Sequence, residues 1–182
     1  MSIVITGTPG VGKHTIGKEL AKKLELQIID INEIAKDSGL FEQNDESNDV
    51  DVEKLKEILI DEISNKSIII GHLAPYVLDN EKIDAVIVLR RSPYDLIQVY
   101  EQRGYSDKKN KENASSEILG VITYDSINQF QDKVIQIDTT NRNIQEVLDS
   151  VESAISGNID SEEVDWLELV TKNNDLKKFF VD

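Results

Sequence analysis

The stretch GTPGVGKHT, residues 7–15, sets glycines at 7, 10 and 12 beside a lysine at 13. Glycines let a backbone turn its N–H groups onto a phosphate, the N-terminus of a following helix adds partial positive charge, and a lysine brings a point charge to the outer phosphates. Gly7, Gly12 and Lys13 fit the phosphate-loop spacing G-x-x-x-x-G-K-[ST], but His14 stands where that pattern places a magnesium-binding hydroxyl. Successive helical residues point about 100° apart, so Thr15 does not simply take over that position. Any magnesium must be held differently.

Arginine usage points the same way. Of four arginines, Arg90, Arg91 and Arg103 fall within fourteen residues, and a planar guanidinium suits bidentate phosphate contacts better than an ammonium does. Surface ion pairing is the plain alternative for Arg91. Arg103 is the candidate for neutralising charge on a transferring phosphoryl group. His72 follows the apolar run SIIIG, and two readings of it stand evenly: a side chain that orients water or phosphate, or a satisfied structural histidine. Asp30 and Asp138 end apolar runs, where a carboxylate can hold metal-bound water or cap a turn.

These residues need elements to position them. Short β-branched runs at 2–6, 26–30, 67–71, 84–90 and 133–138 alternate with helix-like stretches, the pattern of a parallel sheet buried on both faces in a doubly wound α/β layer. The first helix, from about Lys13, carries Ile16, Leu20 and Leu24 on one stripe. Residues 41–53, acidic and Asn-rich, are expected to be a mobile loop leading into the helix VEKLKEILIDEI. Residues 103–128 begin polar and basic and end helical. Beyond the helix 143–155, Trp166, Leu167, Leu169, Val170, Leu176, Phe179 and Phe180 suggest one or two short amphipathic helices packed back on the domain.

Bulk properties narrow the class. At 182 residues the chain fits one well-buried domain with a tail. Its net charge of -15 argues against wrapping a nucleic-acid backbone, so direct DNA binding is not expected and any polyanion site must be local. With no cysteine, disulfides and thiolate chemistry are excluded. No export signal and no membrane-length apolar run is present, and a cytoplasmic, monomeric protein is expected.

The loop GTPGVGKHT is similar to the G-x-P-G-x-G-K-x-T form of nucleoside monophosphate kinases. With RGYSDKKNKENASSEI (103–118), GHLAPY (71–76) and VLR (88–90), the chain resembles, over residues 1 to about 155, the adenylate kinase isoenzyme 6 family, also described as coilin-interacting nuclear ATPase proteins, and its archaeal counterparts. The resemblance implies a three-layer nucleoside-monophosphate-kinase fold with a five-stranded, mostly parallel sheet. It implies a kinase domain at 1–157, with a monophosphate-binding excursion at about 30–53 and a lid at about 103–113, and a helical tail at 158–182. The implied reaction is ATP + AMP to 2 ADP with Mg2+ and weak ATPase activity, and the implied partner is a small-subunit ribosomal protein during subunit maturation. Carried onto this sequence, Gly10, Val11, Gly12, Lys13, His14, Thr15, Arg103, Asp138, Thr139 and Thr140 would bind ATP. Asn32, Lys36 and Arg90 would bind AMP, and Lys13, Arg103 and His72 would act in catalysis. Three positions depart from the family pattern: Ile70 where an acidic residue precedes the histidine, Val99 where an arginine could lie on adenine, and Lys36 where an arginine usually grips AMP. An alternative is an assembly factor whose nucleotide pocket switches a binding surface, with slow hydrolysis and little transfer to AMP.

Overall fold

The computed structural model describes residues 2–43, 48–63 and 66–180. Its main sheet has the order β2 (Gln27–Asp30), β5 (Ser67–Ile70), β1 (Ser2–Thr6), β6 (Ala85–Arg90) and β7 (Val134–Asp138), every neighbouring pair parallel. The expected three-layer α/β architecture is therefore found, with all five apolar runs as strands. Because strand side chains alternate between faces, Ile3, Ile5, Ile68, Ile70, Ile87 and Leu89 face one layer, while Val4, Ile69, Val86 and Val88 face the other.

The first layer holds α1 (Lys13–Leu24), α5 (Pro93–Gln102), α6 (Asp107–Ile118) and α8 (Ile144–Ile155). The second holds α2 (Ile31–Asp37), α3 (Val52–Glu62), α4 (Ala74–Val77) and α7 (Val121–Phe130). Ile16 and Leu20 of α1 are buried as the stripe predicts, whereas Leu24 in its last turn is 40% exposed.

The expected loop at 41–53 is ordered differently. Phe41–Gln43 (β3) and Asn48–Val50 (β4) pair antiparallel, and Asp51 caps α3 by accepting the Lys54 N–H. The hairpin's backbone bonds satisfy a polar sequence that has too little apolar content to announce a strand. Residues 44–47 of that stretch lie outside the described residues.

Two short tail helices, α9 (Trp166–Lys172) and α10 (Leu176–Phe180), lie against the first layer. Phe179 is 1% exposed and packs edge-on to Tyr94, whose hydroxyl donates to Asp175 at 2.8 Å. Among the described residues no helix is long and apolar enough to cross a membrane.

Candidate functional site

Residues 7–12 bridge β1 and α1 at the carboxyl edge of the sheet, where ligands of open α/β sheets bind. Gly7 takes φ 135°, and a Cβ there would meet the Leu89 carbonyl oxygen at 2.4 Å. Gly12 takes φ 98° as the N-cap of α1 and offers no side-chain cap. The first-turn amides of α1 thus have no side chain covering them, which suits an anion.

The loop is braced from three sides. The Tyr100 hydroxyl donates to the Pro9 carbonyl at 2.7 Å, the Thr139 hydroxyl lies 3.3 Å from the Val11 carbonyl, and the Thr8 hydroxyl donates to Glu117 at 2.7 Å. Lys13, 5% exposed, rests its ammonium on the Thr8 carbonyl at 3.2 Å. Burial and then the Arg103 guanidinium push the Lys13 pKa down to about 8, against the pull of Asp30 and Glu117.

A cleft of about 910 Å³ opens over this loop, near the upper end of the range for ligand clefts. One wall is the loop and first turn of α1, with Gly10, Gly12, Lys13, His14 and Thr15. The second is Arg103 at the end of α5 with Tyr105, Lys109, Glu112 and Asn113. The third is Asn32, Val50, Val52, Leu73 and Tyr76, with His72. Lys13, Arg103 and Lys109 therefore face one cavity in a protein of net charge -15. The segment expected to act as a lid is a turn through Gly104 and Tyr105 followed by the first half of α6, which Ser106 caps by accepting the Lys109 N–H. Lys109 stands over the Tyr105 ring, 4.5 Å from its centroid, and that ring stacks on Tyr100.

His14 Nε2 pairs with Asp30 Oδ2 at 3.0 Å, while Asp30 Oδ1 accepts the Asn32 and Glu33 amides and caps α2. Burial alone would raise the Asp30 pKa, but the His14 imidazole and those amides hold it below the usual carboxylate value. His72 is pushed down to about 4 by burial and then by Lys13 and His14, so it is neutral near pH 7. Among the described residues no group of three or more His, Asp or Glu side chains is arranged to hold a metal ion.

Several expected contacts are placed elsewhere. Arg90 is 3% exposed and points into the protein: Nε donates to Glu117 Oε1 at 2.8 Å, one terminal nitrogen to Gln136 Oε1 at 2.6 Å and Thr123 Oγ1 at 3.2 Å, and the other to the Glu117 carbonyl at 2.8 Å. All three of its nitrogens donate to partners inside the protein, so it is corrected from an AMP contact to a buried tie between β6, β7, α6 and α7. Lys36 is exposed in the last turn of α2 and does not line the cleft; of the three expected AMP contacts, Asn32 alone does. Asp138, Thr139 and Thr140 do not line it either. Asp138 accepts the Thr140 N–H, Thr140 accepts the Ser92 N–H, and Thr139 braces the loop and β6. Ile70 is fully buried against α1, where a Cβ on Gly17 would come within 2.5 Å of it.

Glu117 lies within the 103–118 motif, but the sequence reading gave it no role. The usable signal was its place on the inner face of α6, three residues after Ala114 and next to Ile118, all three buried. A carboxylate on a buried helical stripe requires partners.

Strand order and loop place the fold with the P-loop kinases of nucleoside-monophosphate-kinase type. Solved structures with this fold include a shikimate kinase from Aquifex aeolicus, at TM-score 0.55 and 17% identity over 87% of this chain and 98% of that one. A gluconokinase from Sinorhizobium meliloti has TM-score 0.51 and 14% identity over 86% and 91%. A family model described as AAA domain matches residues 3–120. The protein named Putative adenylate kinase from Methanocaldococcus jannaschii is 41% identical over 175 residues, covering 92% of this chain and 94% of the relative. A protein of the same name from Thermococcus kodakarensis is 33% identical over 172 residues, covering 93% and 94%. The chain belongs to this archaeal adenylate kinase-like family of the AAA-domain group.

Proposed function

We propose that the chain is a nucleotide kinase that moves the γ-phosphoryl of ATP to AMP, giving two ADP, with slow hydrolysis of ATP when no acceptor is seated. The observation that carries this reading is the convergence of Lys13, Arg103 and Lys109 on one cleft above the uncapped N-terminus of α1. The α1 amides and Lys13 hold the β- and γ-phosphates from below, and Arg103 and Lys109 close over them from the opposite wall. An AMP oxygen attacks the γ-phosphorus in line, and the bond from that phosphorus to the bridging oxygen of the departing ADP breaks. No protein nucleophile is required, because positioning and charge neutralisation supply most of the catalysis. Neutral His72 can hold a water or an acceptor hydroxyl without adding charge. Asp30 and Thr15, hard oxygen donors beside the first turn, would hold a magnesium ion through water if it arrives with the nucleotide, and it would supply charge neutralisation there.

A specific observation favours the second reading, a nucleotide-switched assembly ATPase that engages a small-subunit ribosomal protein and phosphorylates AMP poorly. Among the described residues the third wall contributes no lysine or arginine to the cleft. A coupled assay of ADP formation, with ATP alone and with ATP plus AMP, separates the two. The kinase predicts strong stimulation by AMP that is lost in Lys13→Ala and Arg103→Ala; equal rates with and without AMP favour the switch.

A further inference from the structure

Glu117 sits outside the cleft, yet joins it to the tail. Its Oε2 accepts the Thr8 hydroxyl at 2.7 Å; its Oε1 accepts Arg90 Nε at 2.8 Å, the Arg91 amide at 3.1 Å and Trp166 Nε1 at 3.1 Å. Thr8 belongs to the phosphate loop, and its carbonyl is where the Lys13 ammonium rests. Hydrogen bonds from Trp166, the first residue of α9, to Glu117, from the Thr8 hydroxyl to Glu117, and from Lys13 to the Thr8 carbonyl thus join the tail to Lys13 through the frame of Thr8. The donors crowded on Oε1 fix the carboxylate plane so that Oε2 faces the loop. At 2% exposure Glu117 has little water to replace a missing donor.

We infer that Glu117 is a positioning residue for the phosphate loop and that Trp166 completes its shell, so that the docked tail is a working part of the nucleotide site. The inference rests on the proposal that a nucleotide occupies that loop. Coupling between sites is reciprocal, so nucleotide binding also tightens tail docking.

Trp166 is the chain's single tryptophan, which makes its emission a direct report on this contact. Phe179 and the Tyr94–Asp175 bond anchor the tail independently, so Trp166→Phe removes the N–H while the tail stays attached. The test is calorimetric titration with ADP of the full chain, of Trp166→Phe and of Glu117→Gln, alongside melting curves, tryptophan emission of the unaltered chain, and KM for ATP and AMP. The expected result is an emission change on saturation with ADP, at least about fivefold weaker ADP binding by Trp166→Phe, and a raised KM for ATP with that for AMP unchanged. Unchanged ADP affinity in Trp166→Phe overturns the inference. So does a fall in affinity that tracks a lower Tm and raises both KM values alike, the mark of a merely structural contact. Absence of ADP binding by the unaltered chain would remove the proposed function as well; binding there with no effect of Trp166→Phe removes this inference alone.

Discussion

Lys13 combines two properties that oppose each other: it is buried and it is meant to be charged. Its ammonium meets a triphosphate only when protonated, and in the free protein its pKa stands at about 8. ATP affinity is therefore expected to be full below pH 8 and to decline as pH rises above it, which calorimetry from pH 7 to 9.5 would reveal. Lys13→Met should lower ADP formation by roughly 10²-fold or more, the scale of losing one preorganised charge contact. It should leave Tm unchanged or raised, since a buried charge is removed. His72 carries the opposite kind of test. Its folded pKa of about 4 lies below the unfolded value of 6.5, so between those values the unfolded chain binds more protons and stability falls as pH drops from 6.5 to 4. His72→Asn should flatten that part of a urea-melt series. At this scale the meeting of Lys13, His14, Thr15 and Arg103 at one cleft was legible, because glycine spacing and arginine clustering mark where an anion could sit. Arg90 was misread because residue type does not disclose direction: the same guanidinium geometry that suits phosphate suits Glu117 and Gln136. His72 could be named but not assigned a charge, which depends on burial.

Elements explain why the loop works and why some readings failed. The five strands and α1 could be read from apolar periodicity, which survives in any context that buries both faces of a sheet. The hairpin of β3 and β4 could not, because its pairing is carried by backbone bonds and not by an apolar pattern. Thr139, expected among the ATP-binding residues, fastens β7 to the phosphate loop and to β6. Removing Arg90 tests the element-level account. Arg90→Met leaves the Glu117 carboxylate buried without its guanidinium, so a loss of about 3–5 kcal/mol in urea denaturation is expected. KM for AMP in the protein that remains folded should not change. A raised KM for AMP at unchanged stability would return Arg90 to the acceptor site.

The whole molecule sets a locally cationic cleft inside an acidic protein. That contrast favours anion binding in the cleft over binding across the acidic surface. The tail extends the same logic, since Phe179 and Trp166 bring the chain's end against the helices that bear the second wall. Phe179→Ala should cost about 3–5 kcal/mol of stability by urea melt if the tail folds with the domain; a negligible change would mean that the tail docks loosely. The central claim is that one cleft seats both a phosphoryl donor and a monophosphate acceptor. Its most direct measurement is calorimetric binding of a dinucleotide in which five phosphates join two adenosines, followed by competition with ATP and with AMP. The account predicts one dinucleotide per chain, displaced by ATP and, independently, by AMP; a dinucleotide that AMP cannot displace would contradict it.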